Sequence, residues 1–204
     1  MRDDLYLEKD LLTLWQQLQA LHFKLRDYTK KKYNRINPFV EDLFDWKEKG
    51  TYFGGKKVTI YDSTTITGDV KTGDNTWIGP FCSLDGTGGL TIGSFCSISA
   101  GVQILTHDTV KWALSGGKEP YEYSPVSIGD CCFIGTGVVI LRGVKIGNHC
   151  LIGANAVVNK DMPDFSVAAG VPAKIIGKVR LGNGRVQIDY NMKSAATGYG
   201  DRIF

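Results

Sequence analysis

The sequence predicts an all-β solenoid with a helical segment in front of it, and three observations predict it. From residue 128 an aliphatic side chain recurs at every sixth position: Ile128, Ile134, Ile140, Ile146, Ile152 and Val158. Four places after these come small, mostly apolar residues, Cys132, Val138, Val144, Cys150 and Ala156. Glycine follows directly in Ile128-Gly129, Ile134-Gly135, Ile146-Gly147 and Ile152-Gly153. A period of six belongs neither to a helix nor to an ordinary strand. It marks a coil in which each six-residue unit supplies one short strand and one corner of a triangular prism. The aliphatic residue fills the prism, the small residue lets coils stack, and glycine permits the tight corner.

Residues 1–50 read as an N-terminal helical segment. Between residues 3 and 32, Leu11, Trp15, Leu18 and Leu25 recur at helical spacing and make an apolar stripe. The basic stretch Lys24, Arg26, Lys30, Lys31, Lys32 and Arg35 reads as a solvated face and helix end. Asn37-Pro38 reads as the cap and first residue of a second helix that reaches about Lys49 and is ended by Gly50. These helices are expected to cover the open end of the solenoid, where strand edges and core would otherwise meet water.

The solenoid is expected over residues 58–178. Ile60, Ile66, Ile78, Leu84 and Leu90 share one phase, with Thr72 a polar exception. The phase shifts by two at Ile92 and continues through Ile98 and Ile104. Residues 105–125 carry no hexapeptide pattern, and Ile128 resumes in step with Ile104. A repeat that breaks and resumes in phase has a loop inserted between coils, and such excursions are commonly functional. From about Lys174 the repeat fades. Residues 179–204, with Gly182-Asn183-Gly184 and Gly198-Tyr199-Gly200, read as a turn-rich C-terminal tail.

At 204 residues the chain supports one main domain with an appendage. A formal net charge of +3 is too small to argue for nucleic acid or a membrane surface. No apolar run has the length of a membrane span, and Met1-Arg2-Asp3-Asp4 does not resemble a secretory leader, so a reducing cytoplasm is the expected compartment. Cys82, Cys96, Cys132 and Cys150 each fall four places after an aliphatic position and read as buried packing residues, with Cys131 pointing outward. Neither a disulfide framework nor a metal site is expected. A serine hydroxyl at Cys132 or Cys150 is expected to lack a partner inside the prism and to destabilise it.

Three histidines are present. His22 lies in the first helix and His149 at an outward position of the repeat. His107 differs: it follows Leu105-Thr106, where the wall ends and the loop begins. Histidine is the usual general base near neutral pH. Trp112, Tyr121 and Tyr123 are candidates either for pocket walls or for anchors of the loop.

Several of these segments together resemble a known family. They are Thr106-His107, Pro125-Val126-Ser127-Ile128-Gly129-Asp130, Ile134-Gly135, Ile140-Leu141-Arg142-Gly143-Val144-Lys145-Ile146-Gly147, Ile152-Gly153-Ala154 and the closing Ala169-Gly170-Val171-Pro172-Ala173-Lys174. The stretch is similar to the hexapeptide acyltransferases, in particular the group of maltose, galactoside and xenobiotic O-acetyltransferases and polysaccharide-biosynthesis acetyltransferases. The resemblance implies a left-handed parallel β-helix, a homotrimer with sites between neighbouring solenoids, and acyl-CoA, acetyl-CoA above all, as donor. It implies that His107 takes the acceptor's proton and that the acyl group passes without an acyl-enzyme. Asp85 matches an acidic position that contacts the acceptor. Thr136, Ala154 and Lys160 match positions lining the CoA groove, Phe133 an aromatic near the adenine end, and Lys174 a basic position near the CoA phosphates. The glutamate that often supports the histidine has no aligned counterpart; Glu119 and Glu122 are nearby candidates, grouped with Trp112 as acceptor contacts.

The leading expectation is an acyltransferase acting on a hydroxyl or amine of a nucleotide-sugar or surface-glycan precursor, with antibiotic O-acetylation as the alternative. The asparagine that helps bind the acceptor in galactoside-type relatives has no match near residues 80–83, which weighs against a free galactoside. A non-catalytic scaffold is a third reading, and it would need neither a histidine at the loop root nor a basic closing motif. A zinc carbonic anhydrase built on the same solenoid would need three converging histidines.

Overall fold

The computed structural model describes residues 8–43, 46–182 and 184–190. The chain divides into two compact units, residues 1–45 and residues 46–204.

In the first unit, helix α1 (Lys9–Tyr33) is followed by α2 (Phe39–Leu43). Asn34, at φ 53°, ends α1 in the left-handed conformation that asparagine tolerates, and its N–H bonds to Lys30 O. No residue of α1 is buried. The second unit opens with α3 (Trp46–Gly50), helical within the span where a helix was expected after Pro38. The cover at that end of the solenoid comes from α3 and the 3-10 turn Thr51–Phe53. Lys49 Nζ donates to Asp62 O (2.9 Å) and Thr64 O (2.6 Å) of the first coil, and Thr72 Oγ1 donates to Phe53 O (3.1 Å).

The remainder is a parallel β-solenoid of the left-handed β-helix class with three faces. The first face stacks Ile60, Ile78, Ile98, Ile134, Ile152 and Ala168 in register. The second stacks Ile66, Leu84, Ile104, Ile140 and Val158. The third stacks Thr72, Ile92, Ile128, Ile146 and Met162. Nearly all of these inward side chains are sealed from water. Burying each such side chain contributes about 1.5–3 kcal/mol, which makes the six-residue period an energetic constraint. Ile104 and Ile128 lie on successive faces, and the phase is kept because the inserted length is a whole number of hexapeptides.

The corner after the third face carries a polar ladder. Lys56 N, Asp74 N, Ser94 N, Asp130 N and Asn148 N each donate to the side chain of the next coil, respectively Asp74, Ser94, Asp130, Asn148 and Asp164, at 2.7–3.0 Å. Corner amides that no strand can pair are satisfied this way. His149 belongs to this corner, stacked on Phe165 with centroids 5.0 Å apart.

Inside the same corner the cysteines do more than pack. Cys96 Sγ donates to Gly129 O (3.1 Å), Cys132 Sγ to Gly147 O (3.0 Å) and Cys150 Sγ to Pro163 O (3.2 Å). Thr76, one coil above Cys96, places Oγ1 2.7 Å from Gly93 O in the same manner. The expectation of a stranded serine hydroxyl is therefore corrected: this column already accepts a hydroxyl and offers it a carbonyl. Cys132→Ser is expected to change stability by less than about 1 kcal/mol, whereas Cys132→Ala, losing both the bond and the sulfur's packing, should cost about 1–3 kcal/mol. Denaturant unfolding of the two variants checks the order; a Ser variant less stable than the Ala variant would contradict it.

The closing segment is also more ordered in pattern than a turn-rich tail. Lys174–Gly182 pairs antiparallel with Ser166–Ala169 and with Arg185–Tyr190. Residues 191–204, including Gly198-Tyr199-Gly200, lie outside the described residues. No helix among the described residues is long and apolar enough to cross a membrane.

Candidate active site

The inserted segment forms an arm. His107–Asp108 pairs antiparallel with Glu122–Tyr123, His107 opposite Tyr123 and Asp108 opposite Glu122, and α4 (Val110–Leu114) lies between the two strands in sequence. The arm leaves the corner after the second face, directly beyond Ile104 and the fully buried Thr106. One coil earlier, that corner contains the two-residue phase shift seen in the sequence. The extra residues let the chain from Asp85 to Gly89 bulge against the arm's root. Only glycine fits there: a Cβ on Gly88 would stand 2.4 Å from Thr106 O, and one on Gly86 would stand 2.5 Å from Asp69 O. Gly88 N donates to Thr106 Oγ1 at 2.8 Å, which ties the bulge to the root.

This bulge brings a carboxylate to the histidine. Asp85 Oδ2 lies 2.6 Å from His107 Nδ1 and accepts from Thr106 N (2.8 Å) and Thr106 Oγ1 (3.1 Å). Asp85 Oδ1 accepts from Thr87 N (2.9 Å) and Thr87 Oγ1 (2.6 Å). Burial pushes the Asp85 carboxyl up, but the hydrogen bonds from Thr87, Thr106 and His107 outweigh it and hold the group well below the usual carboxylate range. An ionised Asp85 can only accept, so the proton between the pair sits on His107 Nδ1 and the lone pair of the neutral ring is on Nε2. The His107 side chain is 35% exposed and that of Asp85 10%, so the histidine faces solvent from a buried support. Tyr123 flanks the ring, with centroids 5.8 Å apart.

The arm is held to the wall by charge. Arg142, two residues beyond Ile140 on the same corner, pairs with Asp108 through Nε and with Glu122 through Nη2 (2.7 Å), and Lys111 also reaches Glu122 (2.7 Å). The two carboxylates it grips directly follow His107 and precede Tyr123, so Arg142 fixes both strands of the arm beside the histidine.

These contacts sort the residues anticipated from sequence. Asp85 has both oxygens engaged by Thr87, Thr106 and His107, so it stands behind the histidine, where the sequence reading had it meeting an acceptor. It is Asp85, and not Glu119 or Glu122, that makes the carboxylate contact to His107. Glu122 is held by Arg142 and Lys111, and Glu119 is exposed on the arm. Trp112 packs edge-on against Tyr121, centroids 5.5 Å apart, which braces the arm. Lys160 and Lys174 come together, lining an open cavity of about 410 Å³ with Asn159, Met162 and Pro172. Thr136 and Ala154 are exposed on one corner, in adjacent coils joined by Asn155 N to Thr136 O (2.8 Å). Phe133 is 39% exposed on the first face. Thr87, Thr106 and Arg142 were not singled out as site residues in the sequence. The signal for the first two was the phase shift and its glycines; Arg142 stood in the motif without an assigned role.

The three histidines stand on separate elements, His22 beside Arg26 and Phe39, His149 on Phe165 and His107 on Asp85. Among the described residues no group of three or more His, Cys, Asp or Glu could hold a metal ion.

Residues 125–160 match the model of the bacterial transferase hexapeptide (six repeats). Those residues carry the hexapeptide repeat of that transferase family. It is similar to the galactoside O-acetyltransferase of Escherichia coli, 34% identical over 128 residues, which cover 63% of this chain and 51% of that protein. The chain thus matches about half the length of that relative. Among solved structures it is similar to a hexapeptide-repeat acetyltransferase of Vibrio cholerae complexed with acetyl-CoA (TM-score 0.58, 25% identity, 85% of this chain and 91% of that one). It is also similar to an N-acyltransferase of Bacillus cereus in complex with dTDP and 3-hydroxybutyryl-CoA (TM-score 0.57, 26% identity, 63% and 72%).

Proposed function

We propose that the chain transfers an acetyl or short acyl group from acyl-CoA to a hydroxyl or amino group of a sugar, within a nucleotide-sugar or surface-glycan precursor. The observation that carries the reading is the His107–Asp85 pair at the root of the arm. With Nδ1 engaged by Asp85, Nε2 is the ring nitrogen available to an acceptor. It takes the proton of the acceptor O–H or N–H as that atom bonds to the thioester carbonyl carbon. The C–S bond then breaks, CoA leaves as thiolate, and the proton on Nε2 passes to it. Asp85 stabilises the imidazolium formed in between, as a buried carboxylate on Nδ1 does in other acyl-transfer sites.

The donor's phosphates suit Lys160 and Lys174, which line one cavity together with Asp161. Phe133 offers an exposed ring for a base to stack on, and the small Thr136 and Ala154 leave a corner clear for the pantetheine arm. Lys160 shares its corner with Thr106 and Arg142, whereas Thr136 and Ala154 lie on the corner between the first two faces. A site that uses both corners needs two chains, which supports a trimer with sites between solenoids. The sugar acceptor is supported by the similarity to the galactoside O-acetyltransferase and to the dTDP-bound N-acyltransferase. Incubating the protein with acetyl-CoA and a panel of nucleotide-sugars, oligosaccharides and antibiotic alcohols, read by mass shift, is expected to acetylate a sugar of the first two classes. Acetylation confined to the antibiotic alcohols would overturn the sugar reading.

A further inference from the structure

We infer that α1 pairs antiparallel with the α1 of a second copy of this chain through a leucine seam. Leu11, Leu14, Leu18, Leu21, Leu25 and Tyr28 follow a strict three-four spacing, the a and d positions of consecutive heptads. They run along nearly the whole helix, and all but the half-buried Leu25 are 40–60% exposed. The helix already has a separate packed side. Leu12, Trp15, Gln19, His22 and Arg26 are half-buried, and the His22 ring lies 4.6 Å from that of Phe39 in α2. The leucine seam is therefore additional to the contact within the unit. A two-position seam is narrow for packing on a core, which takes an apolar arc of about 100° or more, but it is the width that one partner helix fills.

Charge selects the partner and its direction. Asp10, beside the seam in the first turn, and Lys31, beside it in the last, occupy equivalent g positions at opposite ends. Antiparallel copies meet in layers Leu11–Tyr28, Leu14–Leu25 and Leu18–Leu21, each occurring twice. This arrangement sets Asp10 of each copy against Lys31 of the other. A parallel pair would instead bring two Lys30-Lys31-Lys32 clusters together, with Asp27 of each helix, one turn earlier, the single acidic neighbour. A membrane-surface helix carries Lys and Arg along its polar face. Here the first turns present Thr13, Gln16 and Gln17 with Lys9 the single base, and the other basic residues lie from Lys24 onward.

The test uses the full chain and light scattering after gel filtration. Leu14→Lys/Leu18→Lys is expected to halve the wild-type mass, with helix content and solenoid melting retained by circular dichroism. Lys31→Asp should lower the mass at low salt, and Asp10→Lys combined with Lys31→Asp should restore it. In a Cys131→Ser background, mild oxidation of mixed Leu14→Cys and Leu25→Cys proteins should give a disulfide-linked pair that Leu14→Cys alone does not form. An unchanged mass for the double-lysine variant would overturn the proposal. So would cross-linking of Leu14→Cys with itself, or sedimentation of the wild type but not the variant with phosphatidylglycerol vesicles at unaltered mass.

Discussion

His107→Asn is expected to lower turnover by roughly 10²-fold or more while leaving CoA affinity nearly unchanged. The asparagine amide can still donate to Asp85, so the bulge and the root of the arm keep their hydrogen bonds. What disappears is the lone pair on Nε2, the one acceptor in the pair that faces solvent. The lysine cavity does not contact His107, so donor binding has no reason to change. A hydroxyl acceptor should show the largest loss, because an amine that arrives deprotonated needs the base less. The measurement is kcat on the true acceptor, together with CoA binding by calorimetry. Turnover within a few-fold of wild type on a hydroxyl acceptor would remove His107 from the chemistry.

The solenoid was legible because its signal is redundant. Every inward position repeats at the same interval, so single exceptions such as Thr72 do not hide it. His107 was legible for the opposite reason: it is where the repetition stops. Asp85 was visible only as a residue, because its partner lies one coil away and the geometry that joins them depends on a two-residue bulge. The shift from Leu90 to Ile92, with Gly86 and Gly88 beside it, carried that information without showing which way the bulge turns. The cysteine ladder escaped because a buried thiol and a buried methyl read alike in a pattern of small residues. The carbonyl opposite each thiol belongs to another coil. The α1 stripe was read from four positions, Leu11, Trp15, Leu18 and Leu25, which mix two faces of the helix. Trp15 belongs to the packed side and the leucines to the exposed seam, a division that no spacing rule makes without the neighbouring α2.

Asp85→Asn separates positioning from support of the fold, and its expected effect is a fall in kcat of roughly 10²-fold or more. The asparagine carbonyl can still accept from Thr87. Its amide then faces Thr106 N–H, donor against donor, and meets His107 Nδ1 as a donor. His107 answers by accepting at Nδ1 and carrying its proton on Nε2, the tautomer that cannot take a proton from the acceptor. The substitution also changes how stability responds to acid. The Asp85 carboxyl is held below its ordinary value of 3.8, so its contribution to stability is present above that pH. It is lost as pH falls toward the folded-state value. Wild-type stability should therefore drop below about pH 4 with a share owed to Asp85, and Asp85→Asn, with nothing to protonate there, should show a shallower drop. The two readouts are kcat at neutral pH and the slope of melting temperature against pH in the acid range. A variant with normal kcat would show that Asp85 braces the bulge without setting the histidine's tautomer. An unaltered acid slope would show that its carboxylate is not held in the ionised form by Thr87, Thr106 and His107.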